Sequence, residues 1–106
     1  MAWIILLVAG LLEIAWALAM KQSQGFTRLI PTTVTVVAML ASIGLLSISM
    51  KTLPLGTAYT VWTGVGAVGA FVVGIAVLGE PASIVRISSA ALIVAGMALM
   101  KLSSPA

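Results

Sequence analysis

Four apolar stretches of nearly equal length constrain the fold of this chain more than any other feature of its sequence. They cover residues 3–20, 29–50, 55–78 and 84–101, and each is near the about 20 residues that a helix needs to cross the hydrocarbon core of a bilayer. The chain has 106 residues, of which 62% are hydrophobic and 7% charged, whereas soluble domains average about 25% charged residues. We therefore predict an all-α membrane protein in which residues 1–106 form one domain of four transmembrane helices.

Glu13 lies in the middle of the first apolar stretch, at a depth where an ionisable side chain is costly and usually functional. Residues three or four positions away share its face of the helix, and these include Gly10 and Trp16. Small residues on that face allow another helix to approach closely. Trp16 lies too deep for the aromatic belt at the membrane surface, and its indole can donate one hydrogen bond. Glu13 is therefore the candidate binding group of the chain.

The third stretch concentrates aromatic side chains and glycines near its start. Helical spacing predicts one shared face for Tyr59, Trp62, Thr63 and Gly66, with Thr60 and Ala67 at its flank. Flat aromatic surfaces with polar tips suit a flat or delocalised cation. The glycines at 64 and 66 also predict a bend or hinge, since glycine is a recurrent site of helix kinks. Ser42, at the centre of the second stretch, is expected at the depth of Glu13 and is a further site candidate.

The fourth stretch carries no acidic residue, and its pattern predicts a helix–helix interface. The stripe of residues expected there consists of Ser89, Leu92, Gly96 and Leu99. Lys101 lies at the end of this stretch, where a lysine by default extends toward the headgroups. Glu80 precedes it in a turn beside a proline, and we interpret this acid as a solvated charge with no chemistry.

Composition argues against most catalytic functions. The chain contains no cysteine and no histidine, which excludes disulfides, thiolate chemistry and the commonest metal ligand. The sequence shows no nucleophile paired with a base, no set of metal ligands and no cofactor motif. We therefore expect a protein that is not an enzyme and needs no cofactor. The net charge is +3, but the basic residues lie singly beside helix ends, which indicates membrane anchoring and not nucleic-acid binding.

Four helices alone cannot enclose a polar path and also screen one acid from lipid. A second copy of the chain would supply the missing wall. Two basic side chains, Lys51 and Lys101, are expected on one membrane face, and three, Lys21, Arg28 and Arg86, on the other. Because orientation follows such bias and the bias here is nearly nil, we hypothesise that the chain inserts both ways and pairs as an antiparallel homodimer. The two buried carboxylates would then face each other and be shared by a proton and an organic cation.

These residues together resemble the small multidrug resistance family over essentially the whole chain. The resemblance rests on Glu13, on Lys21 followed by Gly25-Phe26-Thr27-Arg28-Leu29, and on Gly56-Thr57-Ala58-Tyr59 leading to Trp62-Thr63-Gly64-Val65-Gly66. Within the family the chain is similar to the guanidinium exporter subtype at Gly10, Trp16, Met39, Ala67 and Lys101.

The resemblance implies an antiparallel, dual-topology homodimer that exchanges protons for guanidinium across the bacterial inner membrane. It implies that Glu13 is the shared proton and cation site, that Trp16 and Ser42 hold the carboxylates by hydrogen bonds, and that Tyr59 and Trp62 line the site. The further residues expected to line or gate it are Gly10, Met39, Thr60, Thr63, Gly64, Gly66 and Ala67. Lys101 is a marker of the subtype.

Two alternative functions remain open. One is a broader antiporter that exchanges protons for quaternary ammonium or hydrophobic cations. Thr60 stands where many guanidinium exporters have alanine, which leaves the selectivity among substituted cations open. The other alternative is a membrane subunit that transports nothing and whose Glu13 pairs with a partner protein.

Overall fold

The computed structural model describes residues 1–103, so residues 104–106 of the predicted domain lie outside the described part. Its four helices are α1 (Ala2–Gln22), α2 (Leu29–Ser49), α3 (Leu55–Ala76) and α4 (Ile84–Ser103). All four are long and apolar enough to cross a membrane, and the predicted all-α membrane architecture is confirmed. The helix bounds differ from the predicted ones by up to two residues.

The link between α1 and α2 is a tight turn built on Ser23. Its hydroxyl donates to the carbonyl of Met20 at 2.6 Å and accepts from the backbone N–H of Phe26 at 3.0 Å. Gln24, Gly25 and Phe26 all adopt a positive φ, of 51°, 73° and 65°, in the left-handed region that favours glycine. Because the side chain of Ser23 is fully buried, the turn is fixed against the helix that precedes it.

The link between α2 and α3 ends at Pro54, which directly precedes α3. Proline has no backbone N–H to donate, and it is tolerated at a helix start because that group would lack a helical partner anyway. Leu53, one residue earlier, is 3% exposed and belongs to the core. A single leucine therefore anchors a link whose other side chains are mostly exposed.

The helices form a thin slab. Helix α1 packs against both α2 and α3, whereas the backbone of α4 lies close to that of α3 alone among the helices of residues 1–103. The core lies where α1, α2 and α3 meet, and it consists of Leu6, Ala9, Leu46, Leu53, Ala58, Val61 and Trp62. The slab measures 43 × 34 × 17 Å, and a helix with its side chains is about 10 Å wide. Packed helix axes lie about 8–10 Å apart, so the slab is at most about two helices deep.

Helix α4 has no buried residue within the described chain. Leu92 is 73% exposed and Leu99 67% exposed, and nothing lies within 4 Å of a Cβ built on Gly96. The hydroxyl of Ser89 donates to the carbonyl of Val85 in its own helix at 2.8 Å. The four residues predicted to form a dimer interface are thus not covered by their own chain, and the interface itself stays a prediction.

Candidate functional site

Glu13 lies near the middle of α1 and packs against α3. A Cβ built on Gly66 would overlap the Glu13 carboxyl group, so only glycine lets α3 approach this side chain so closely. Two further glycines serve the same contact. A Cβ on Gly10 would lie 2.6 Å from Cγ1 of Val65, and one on Gly69 would overlap an isoleucine of α1. The small residues of both helices therefore bring the acid into direct contact with the third helix.

Three buried polar side-chain atoms have no hydrogen-bond partner among residues 1–103, and all three belong to α1. They are Oε1 of Glu13, Nε1 of Trp16 and Nε1 of Trp3. An unpaired buried donor or acceptor costs about 1–3 kcal/mol, so such a group in a native protein calls for an explanation, such as a bound water, an ion or a functional role. Glu13 and Trp16 lie one turn apart on the same face, yet the hydrogen bond expected between Trp16 and a carboxylate is not formed among residues 1–103.

Ser42 links all three core helices through its hydroxyl. It donates to the backbone carbonyl of Ala9 in α1 at 2.6 Å and accepts from the indole Nε1–H of Trp62 in α3 at 3.0 Å. Ser42 is fully buried and Trp62 is 9% exposed. Because a hydroxyl has one hydrogen to donate, Ser42 in this arrangement does not donate to Glu13 of its own chain. It fixes the orientation of the Trp62 ring instead.

Tyr59 extends the aromatic surface from Trp62 toward the outside of the described chain. The two ring centroids are 5.7 Å apart and the planes are tilted by 43°, a distance typical of a favourable aromatic pair. Tyr59 is 54% exposed, so one inner and one outer ring form a continuous aromatic surface.

The remaining candidates on α3 lie on a different face from the one that contacts Glu13. Tyr59, Thr60, Thr63, Gly64 and Ala67 border a cavity of about 330 Å³ between α3 and α4. The predicted face of α3 is therefore divided between two neighbours. Trp62 and Gly66 contact α2 and α1, whereas Tyr59 and Thr63 border this cavity. Each residue turns a helix by about 100°, and α3 is packed by α1 and α2 on one side and by α4 on the other, so Thr63 lies at the α4 side. Gly64 is the contact point there, since its Cβ would lie 2.5 Å from Sδ of Met97.

Lys101 lies far from Glu13, beside the start of α1. Its Nζ is 5.0 Å from the ring centroid of Trp3, and Trp3 precedes Glu13 by ten residues, or about 15 Å of helix. The contact joins the end of α4 to the start of α1. Met39 is half-buried in α2, and its predicted role as a lining residue stays a prediction.

Glu80 is the charged residue that sequence reasoning misplaced. We expected a solvated side chain, but its carboxyl group lies against Gly74 of α3, where a Cβ would overlap it. The side chain also borders a cavity between α1 and α3 together with Lys21. The signal for this arrangement in the sequence is a glycine six positions before the acid, which has no meaning until the turn at the end of α3 is known.

Four apolar helices with a carboxylate at the contact between α1 and α3 define a multi-pass membrane protein with a polar site among its membrane-spanning segments. The chain belongs to the small multidrug resistance family, because the family described as Small Multidrug Resistance protein matches residues 1–93. The family predicted from the motifs is thereby confirmed, and it is a family of membrane transporters.

Similar proteins from several bacteria cover almost the entire chain. A guanidinium exporter of Citrobacter freundii is 58% identical over 104 residues, which are 98% of this chain and 99% of that protein. A guanidinium exporter of Yersinia pestis is 59% identical over 104 residues, 98% of this chain and 100% of that protein. A guanidinium exporter of Salmonella typhimurium shares 58% identity over 104 residues, 98% of this chain and 99% of that protein.

Proposed function

We propose that this chain exports guanidinium across the bacterial inner membrane in exchange for protons, and that it works as an antiparallel homodimer. Relatives named guanidinium exporters, 58–59% identical over nearly the whole chain, support the substrate. The observation that carries the proposal is Glu13, whose buried Oε1 has no hydrogen-bond partner among residues 1–103. A transported cation and a proton are the two partners that such an acceptor can hold in turn.

Guanidinium suits this acceptor by shape and by charge. It is planar and presents a fork of N–H donors that matches both oxygens of a carboxylate. The close approach of Gly66 keeps bulk away from one side of the Glu13 carboxyl group. The aromatic pair of Tyr59 and Trp62 offers ring faces to a delocalised cation. Ser42 holds the Trp62 ring in place at 3.0 Å, so these faces are preorganised before the cation arrives.

Exchange follows from competition for one carboxylate. A protonated Glu13 cannot pair with a cation, and a Glu13 paired with guanidinium has released its proton. Neither partner crosses without the other being exchanged at the opposite face, provided that the site opens to one face at a time. In a dimer of two inverted copies the inward-open and outward-open states are equivalent, so alternating access needs only an exchange of roles between protomers.

The shape of the protomer supports the second copy. The slab is 17 Å thick, and the described chain buries no residue of α4. The exposed side chains of Leu92 and Leu99 are therefore available to a partner. If the dimer is antiparallel, a cysteine introduced at the C-terminus will react with membrane-impermeant reagent from both sides of the membrane in about equal amounts. Labelling confined to one side would overturn the dual topology.

The transport test uses purified protein in liposomes on a solid-supported membrane. We expect currents with guanidinium and phenylguanidinium that reverse with the imposed pH gradient, and little current with tetrapropylammonium. Glu13→Gln is expected to abolish them, because the amide can neither release a proton nor pair with a cation. Glu13→Asp is the matched variant, since it keeps the charge. Proton-coupled guanidinium current in the Gln variant, or silence of the wild type toward guanidinium, would overturn the proposal.

A broader cation antiporter is the second candidate, and Thr60 is the observation that favours it. Its exposed side chain borders the cavity of about 330 Å³ between α3 and α4, where a hydroxyl replaces the expected methyl surface of alanine. In the same assay a strong tetrapropylammonium current that Thr60→Ala reduces would support this candidate. A wild type selective for guanidinium would exclude it.

A further inference from the structure

A second carboxylate, which the transport site does not use, lies over the end of α3. Glu80 follows Gly79, whose φ of +69° reverses the chain, and its backbone N–H donates to the carbonyl of Gly74 at 3.0 Å. A Cβ on Gly74 would overlap the Glu80 carboxyl group. The turn at Gly79 and the missing side chain of Gly74 therefore bring the Glu80 carboxyl group against the end of α3.

Glu80 borders a cavity of about 200 Å³ between α1 and α3. The cavity has mainly apolar walls, and Lys21 is the other charged residue that lines it. Its lining on α1 begins at Ile14, next to Glu13, and ends at Lys21 near the end of the helix. At 1.5 Å per residue these two residues are about 10 Å apart along the axis. The cavity thus extends from the depth of the transport site toward the membrane surface.

We propose that Glu80 is a second binding site for guanidinium-type cations, occupied on the path between the membrane surface and Glu13. This inference deepens the proposed function and rests on it. The carboxylate matches the donor fork of guanidinium as Glu13 does. The apolar walls lower the local dielectric and so strengthen its attraction for a cation that enters. The cavity has room for several water molecules and hence for a small planar cation.

Lys21 makes this site exchangeable. Lys21 lines the same cavity, so its positive charge repels an arriving cation. An ammonium is a point charge and cannot match both carboxylate oxygens as guanidinium does. The repulsion by Lys21 therefore weakens the binding of the cation at Glu80, so that the cation can leave again. Removing the two charges must then have opposite effects on affinity.

The test compares the guanidinium concentration dependence of initial currents for wild type, Glu80→Gln and Lys21→Gln in liposomes. Glu80→Gln is expected to raise KM about two- to fivefold with the maximal current kept, the range for a partly exposed ion pair. Lys21→Gln is expected to lower KM. Lys51→Gln is the matched control, because this exposed lysine lies in the link between α2 and α3, and its KM should equal that of wild type.

The outcomes separate this site from the transport function. A wild type without guanidinium current overturns the proposed function and this site with it. A wild type with current whose Glu80→Gln variant keeps its KM overturns the second site alone. Shifts in the same direction for Glu80→Gln and Lys21→Gln overturn it as well, since they indicate a merely structural role. If Glu80→Gln does not fold, the KM of Lys21→Gln decides, and an unchanged value overturns the site.

Discussion

Replacing Ser42 by alanine is expected to lower the free energy of unfolding by about 1–3 kcal/mol. The hydroxyl joins α1, α2 and α3 at one buried point, through the Ala9 carbonyl at 2.6 Å and the Trp62 indole at 3.0 Å. Alanine removes both hydrogen bonds and changes little else, because Ser42 is fully buried and its Cβ is kept. The substitution thus tests the polar link between the three helices directly.

The magnitude follows from what each partner loses. Interhelical hydrogen bonds within membranes average about 0.6 kcal/mol and reach about 1.7 kcal/mol, so two of them contribute about 1–3 kcal/mol. The Ala9 carbonyl lies within α1 and keeps its helical N–H partner. The indole N–H of Trp62 is left buried and unpaired, at a cost of about 1–3 kcal/mol. We therefore expect a value in the upper half of the range.

Ser49→Ala is the matched control. Ser49 is also fully buried on α2, but its hydroxyl donates to the Leu46 carbonyl of its own helix at 2.7 Å. Its replacement is expected to cost less than half as much. The assay is reversible unfolding in mixed micelles of rising denaturing-detergent content, followed by far-UV circular dichroism. An equal decrease in the free energy of unfolding for both variants, or no decrease for Ser42→Ala, would refute the argument that this hydroxyl stabilises the protein by linking the helices.

Two further substitutions test contacts of α1. Gly66→Ala is expected to reduce guanidinium current at least about tenfold, because the new methyl group would occupy the position of the Glu13 carboxyl group and a displaced catalytic or binding group typically costs that much or more. Gly44→Ala, where nothing lies within 4 Å, should transport normally, and a normal Gly66→Ala would contradict the close approach. Lys101→Gln is expected to lower stability in the unfolding assay by about 0.5–1 kcal/mol, the range for an exposed cation–π pair, since the ammonium lies 5.0 Å from the Trp3 ring centroid. Lys101→Arg should keep that stability, and equal losses in both variants would argue against the contact.

The fold was predictable because its strongest determinants are local. A bilayer of fixed thickness demands apolar helices of nearly one length, and Pro54 prevents α2 and α3 from forming one continuous helix. The rotation of each helix was not predictable in the same way. Thr63 was expected beside Trp62, but α3 is packed on two sides, and the sequence of one helix does not say which neighbour covers which side. Where every residue is apolar, periodicity carries little information about facing.

A site residue could be predicted from the sequence where the residue is unusual by itself. It could not be predicted where its position depends on contact with a second structural element. Glu13 stands out in any apolar stretch, whereas Glu80 gains its meaning only from Gly74. The chain has two acidic residues, and each lies against a glycine of α3, Glu13 against Gly66 and Glu80 against Gly74. These glycines are eight residues, or about 12 Å, apart along one helix. A helix that merely packed would need no such pairing at both positions, since alanine would serve at either. The pairing instead places two carboxylates along the same contact between α1 and α3, one within the bilayer and one near its surface. The proposed cation path would pass these two acids in turn.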